Sequence, residues 1–304
     1  MIPDPATAPS MNPTQTTNPM RPFRSVLYTP GANARALARA RELDADALIL
    51  DLEDAVAVSA KEEARVQVTH ALREGGFGRR SVIVRVNGLD TPWGEDDVRA
   101  LAPLGPRMRC CCPRSNIPRS WRAAAALAAE AGAPGLAWWA MIETPLAILN
   151  IGAIAAAGAP LRALVAGTSD LVKALHARHT PGRAEVQAAL SMTVLAARAH
   201  GLLALDGVHL DLADAEGLRH ACRQGRDLGF DGKTLIHPRQ IDSANAAFGP
   251  SEAEVVRAHA IMAAWQDAQA RGAGVTVVDG MLVEALHVED AQRVLALAQA
   301  IAAD

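Results

Sequence analysis

The side chains able to do chemistry gather just after short apolar runs. Ala47 to Leu50 leads into Asp51-Leu52-Glu53-Asp54, and Val82 to Val86 carries Arg85 and runs on to Asn87. Ala140 to Ile142 leads into Glu143-Thr144-Pro145, Leu164 to Ala166 into Gly167-Thr168-Ser169-Asp170, and Thr234 to Ile236 into His237-Pro238. Any one such acid is more often a helix cap or turn former. Together they suit one site. Glu143 and Asp170 would hold a single hard cation, and magnesium suits two carboxylates, waters and an oxygen-rich substrate. Arg85 would clamp a substrate carboxylate through its planar fork. It could also pair with Asp51 or Glu53 to satisfy a buried charge, and the two readings are compatible. Gly167, Thr168 and Ser169 could bring backbone amides to the substrate, and His237 is a further substrate-binding candidate.

These residues need a scaffold that brings them to one rim. From Ser25 onward, β-like runs alternate with helical ones: Ser25 to Pro30, Ala47 to Glu53, Ser81 to Asn87, Met108 to Pro113, Leu136 to Glu143, Leu164 to Gly167, Leu202 to Leu205 and Lys233 to Ile236. Helical patterns follow, as at Lys61 to Arg73, Glu185 to His200 and Ala215 to Leu228. Eight such units predict an α/β fold, a (β/α)8 TIM barrel, whose chemistry sits where strands end. An open doubly wound sheet is the alternative. It is disfavoured because Pro30-Gly31-Ala32-Asn33 is not a glycine-rich phosphate fingerprint. The expected organisation is a disordered tail over 1–22, a barrel over 23–250, and a C-terminal helical extension over 251–304.

Composition narrows the function classes. Net charge is −3 and aromatics make up 3% of 304 residues, so no basic, aromatic-laced surface for nucleic acid is expected. No run has the length and uniformity of a membrane span, and the first 22 residues lack a secretory apolar core. A cytoplasmic protein is expected. Cys110, Cys111 and Cys112 are consecutive, so they alternate across a strand and make neither a disulfide framework nor a zinc site. His176 and His179 lie in an Arg-flanked segment and read as a solvated face. Lys233 invites a Schiff-base reading, which the carboxylate pair makes unnecessary.

Seven segments then resemble one family in order: RSVLYTPG from Arg24, ADALILDLEDAV from Ala45, VRVNGLDTPWGEDD from Val84, MIETPLAILN from Met141, VAGTSDL from Val165, LDGVHLD from Leu205 and LGFDGKTLIHPRQI from Leu228. The chain is similar to the citrate lyase beta-subunit-like family, within the HpcH/HpaI-type aldolases and the malyl-CoA and citramalyl-CoA lyases. The resemblance implies Mg2+ at Glu143 and Asp170, and Arg85 on the carboxylate of a 2-oxo acid. Glu53 and Asp54 would support Arg85 or the metal's waters. It implies a homo-oligomer, a trimer or hexamer, in which the tail of one subunit closes the next subunit's site. Relatives carry a catalytic Asp in that tail where this chain has Glu284. Ser169 replaces a frequent Asn, and Arg114 and Asn116 replace a Lys and a Glu.

The activity so implied is reversible Claisen or aldol cleavage of a 3-hydroxyacyl-CoA, such as citryl-, malyl- or citramalyl-CoA, into an acyl-CoA and a 2-oxo acid. Magnesium would stabilise the emerging keto acid, Arg85 would orient it, and Glu284 would exchange a proton at the enolate carbon. Hydrolysis of the thioester is a related outcome. The alternatives are a non-catalytic or citrate-lyase-complex binding subunit, and a CoA-independent class II aldolase.

Overall fold

The computed structural model describes residues 21–105, 109–113, 115 and 118–303, with the backbone alone at 118–120. The tail expectation for residues 1–20 and the departures at Arg114 and Asn116 lie outside the described residues. Two compact units are present, residues 23–250 and residues 251–303.

The first unit is a closed barrel of eight parallel strands in sequence order. The chain runs β1 (Ser25–Pro30), α1 (Ala34–Ala40), β2 (Ala47–Asp51), α2 (Lys61–Glu74), β3 (Ser81–Arg85), α3 (Gly94–Leu101), β4 (Arg109–Cys112) and α4 (Pro118–Glu130). It continues through β5 (Ala137–Ile142), α5 (Pro145–Leu149), α6 (Ile151–Ala155), β6 (Leu161–Ala166), α7 (Thr168–Ala174), α8 (Gln187–Ala199), β7 (Leu203–Asp206), α9 (Ala215–Leu228), β8 (Gly232–Leu235) and α10 (Ile241–Phe248). β8 pairs back onto β1, with Val26 opposite Thr234.

Strand alternation sorts the side chains into two cores. Val26, Ala47, Ile49, Ile83, Cys111, Trp139, Met141, Ala163, Val165 and Leu205 fill the barrel. Leu48, Leu50, Val84, Cys110, Cys112, Trp138 and Leu164 meet the helices outside. Phe23 packs edge-on against Trp139, with ring centroids 5.6 Å apart. All four cysteines are free and buried, and the run in β4 faces out, in and out.

Two departures from the sequence reading bear on the site. A helix, α7, begins right after β6, so Asp170 lies in a helical turn. Pro145, a favoured first helical position, opens α5 beside the Thr144 cap, and a second short helix, α6, follows it rather than one continuous helix.

The second unit comprises α11 (Glu252–Ala270), a hairpin of β9 (Thr276–Val278) and β10 (Met281–Val283), and α12 (Ala285–Ala302). Ser251 and Glu254 form a reciprocal capping box at the start of α11. Asp279 and Gly280, both at positive φ, make the two-residue hairpin turn. Ala258, Ile261, Val278, Val283, Val288 and Ala291 form this unit's own core. Among the described residues no helix is long and apolar enough to cross a membrane.

Candidate active site

Strand parity aims the reactive groups. In β2, Ala47 and Ile49 point inward, so Asp51 does too at the strand's C-terminal end. In β3, Ile83 points inward and Arg85 follows two residues on. In β1, Tyr28 shares the side of Val26. Glu143 keeps the parity of Trp139 and Met141. A period of two thus delivers Tyr28, Asp51, Arg85 and Glu143 to the barrel mouth.

Arg85 is the electrostatic centre of this rim. Its Nε and Nη2 donate to the two Asp51 oxygens at 2.7 and 2.6 Å. Its Nη1 lies 3.0 Å from Glu53 Oε2 and donates to Asp54 Oδ2 at 3.3 Å. The Tyr28 ring lies under the guanidinium, 4.8 Å from carbon to centroid, and the Tyr28 hydroxyl donates to the Met141 sulfur at 3.4 Å. One edge of the planar fork is therefore committed to Asp51. The pairing of Arg85 with Asp51 and Glu53, weighed from sequence, is present.

The turn after β2 is fixed from below. Asp51 also accepts from the amides of Glu53 and Ala55. Lys61 donates to the carbonyls of Leu52 and Glu53 at 2.8 and 2.7 Å and to Asn87 Oδ1 at 2.8 Å. Asn87 donates in turn to Asp97, which also accepts from Arg65. Tyr28, Lys61 and Asp97 were not singled out from sequence. The period-two pattern of β1 could have found Tyr28. Nothing local marks Lys61, because its partners lie on other elements.

Glu53, Asp54, Glu143, Thr144, Asp170, Lys173 and Ala174 line one cleft of about 330 Å³. Gly167 makes the approach of β5 and β6 possible there, because a Cβ at that position would collide with the Glu143 side chain. Glu53 Oε2 is buried and held by its ion pair with Arg85. Burial, with Asp54, Glu143 and Asp51 nearby, pushes the Glu53 carboxyl up to about 8 despite the opposing pull of Arg85. This gathering of four carboxylates in one cleft fits a hard divalent cation. Glu143 and Asp170 would hold it, with waters completing the shell. Among the described residues no three His, Cys, Asp or Glu side chains are grouped so as to hold a metal ion.

The other candidates lie apart from this lining. Thr168 is buried against Gly207, where a Cβ would overlap its hydroxyl. Ser169 Oγ is buried without a hydrogen bond. His237 follows β8, its Nδ1 accepting from the Arg239 amide at 3.1 Å. Lys233 faces the helix layer rather than the barrel interior. It is fully buried and donates to Asp206 Oδ2 at 2.9 Å and to the Gly207 carbonyl. Glu284 belongs to the second unit, at the N-cap of α12, where its amide donates to His287 Nδ1 at 3.1 Å. His176 and His179 are exposed.

A closed parallel barrel with a buried arginine and an acidic cleft at the C-terminal ends of its strands has the architecture of a (β/α)8 barrel, in which the working groups sit at that face. The chain belongs to the HpcH/HpaI aldolase/citrate lyase family, whose model matches residues 24–238. It is 50% identical over 282 residues to a (3S)-malyl-CoA thioesterase of Cereibacter sphaeroides, covering 93% of this chain and 96% of that one. It is 33% identical to an L-malyl-CoA/beta-methylmalyl-CoA lyase of the same organism, covering 94% and 97%. Its fold matches the CitE protein of Mycobacterium tuberculosis in complex with magnesium, acetoacetate and coenzyme A. That match has a TM-score of 0.74 at 28% identity and covers 92% of this chain and all of the other.

Proposed function

We propose that this chain is a magnesium-dependent enzyme acting on the coenzyme A thioester of a short 3-hydroxy dicarboxylic acid of the malyl type. The convergence of Glu143 and Asp170 in one cleft with Glu53 and Asp54, themselves against Arg85, carries this reading. Glu143 and Asp170 hold the cation, which supplies a Lewis acid for substrate oxygens. Arg85, braced by Asp51 and Tyr28, orients the substrate's free carboxylate with the donors Asp51 leaves over. Glu284 serves as proton donor and acceptor, entering from a neighbouring copy as the family resemblance implies.

Of the two outcomes open to such a substrate, hydrolysis is favoured by the 50% identity to the thioesterase against 33% to the lyase. Water adds to the thioester carbonyl, the C–S bond breaks, and the thiol leaves with a proton. Cleavage of the C–C bond to acetyl-CoA and glyoxylate is the second reading, supported by the 33% identity to the lyase along nearly the whole chain. Incubation of purified protein with malyl-CoA, with and without chelator, separates them. Free thiol without glyoxylate means hydrolysis, and glyoxylate without thiol means cleavage. Neither product, or turnover that survives exhaustive chelation, overturns the proposal.

A further inference from the structure

A polar cluster outside the cleft has no part in the chemistry above. Asp206, the last residue of β7, and Lys233 of β8 are fully buried on the helix side of the barrel. Besides Lys233, Asp206 is held by Arg183, which lies 23 residues away in sequence. Arg183 Nη1 donates to both Asp206 oxygens, at 2.7 and 2.8 Å. Its Nε donates to Gln224 Oε1 at 2.6 Å and its Nη2 to the Ala221 carbonyl at 3.2 Å, both on α9. Gln224 returns bonds to the Gly182 carbonyl and to Gln187. Burial would oppose the Asp206 charge, yet Lys233 and Arg183 hold its carboxyl below the usual range. Arg183 itself sits at φ +54°, a conformation that non-glycine residues occupy at a cost. A strained backbone held by this many bonds is over-determined.

The cluster touches α7 from two sides. The 3-10 turn that begins just after Arg183, Ala184–Val186, packs on α7. On the other side, Lys233 and Asp206 both bond Gly207, through its carbonyl and amide. Gly207 is the residue against which Thr168, the first residue of α7, is pressed. α7 is only seven residues long and carries Asp170. A helix that short has little stability of its own, so its placement must come from outside.

We propose that Arg183 is a positioning residue for the metal site. Through Asp206 and Lys233 it locks α7 and thereby holds Asp170 at the distance from Glu143 that one cation requires. The inference rests on the reading of Asp170 as a ligand, but its mechanical part can be tested without metal. Hydrogen exchange of the metal-free protein should show the amides of 168–174 exchanging faster in Arg183→Ala than in wild type, with the strands β1 to β8 unchanged. Mn2+ titration should show affinity weakened about 10–100-fold, the usual effect of removing a group that orients a ligand. Arg183→Lys keeps one bond to Asp206 but loses the α9 partners and should fall between, which covers the case where the alanine variant does not fold. Loosening confined to 180–187, or unchanged Mn2+ affinity beside a loosened α7, overturns the proposal. Loss of Mn2+ binding in Asp170→Asn is the separate check on the metal reading itself.

Discussion

At the scale of single residues, Arg85 and Glu53 divide the electrostatic work of the rim. Arg85→Lys keeps the charge but cannot bond both Asp51 oxygens and still reach Glu53 and Asp54. It should cost at least ~1.5 kcal/mol of transition-state stabilisation, about tenfold in kcat/KM. Near-normal turnover would make the arginine merely structural. Glu53 supplies a pH signature. Its folded pKa, about 8, lies above the ordinary 4.5, so the folded state holds the proton more tightly than the unfolded chain does. The stability it contributes is fully present below the ordinary value and is lost as pH rises through about 8. Metal-free protein should therefore melt at progressively lower temperature across that interval. Glu53→Gln should flatten the slope, and an unchanged slope would assign it to another group. The acids themselves were legible in sequence because they stand at the ends of apolar runs. The pairing of Arg85 with Asp51 or Glu53 was weighed there too, but its two-bond geometry with Asp51 was not legible, because it is set by strand register: Asp51 lies beside Arg85 across the β2–β3 ladder.

At the scale of elements, the cleft depends on how closely β5 and β6 bring their ends together. Gly167→Ala places a Cβ in collision with the Glu143 Cβ, and because a Cβ cannot rotate away, the backbone at the end of β5 or β6 must shift. Mn2+ binding should be lost or severely weakened in variant protein that still folds, with stability lowered by about 1–3 kcal/mol. Intact binding would mean Glu143 is not a ligand. The strand positions were readable because short apolar runs ending in polar residues are a local signal; which face of β2 turns inward was not, because Ala47 to Leu50 is apolar throughout and both faces are buried. The short helix α7 was missed, since seven residues carry too little periodicity to register. The β9–β10 hairpin was also missed, although Asp279-Gly280 between apolar pairs is a recognised turn signal. The Arg183 cluster was invisible for another reason: its members come from a loop, two strand ends and a helix.

At the scale of the whole molecule, the proposal that Glu284 acts in a neighbouring copy predicts complementation. Glu284→Ala and Arg85→Ala should each be inactive, and refolding them together should restore part of the activity. A mixture that stays inactive while both variants remain folded would place the proton carrier elsewhere. The cysteine run of β4 has a different consequence. A closed barrel has no edge strand to peel away, so Cys111 cannot meet an alkylating reagent unless the ring of strands ruptures. Burial also pushes the Cys112 thiol up to about 12 and those of Cys110 and Cys111 higher than usual, which leaves almost no reactive thiolate in the native state. Cys222, in the helix layer on α9, is buried by the docking of that helix, which also pushes its thiol up. The chain thus contains two timers set to different events. Modification of Cys222 should record the detachment of a helix, and modification of Cys111 the breaking of the barrel. The gap between their labelling rates under native conditions measures how much harder the second is than the first.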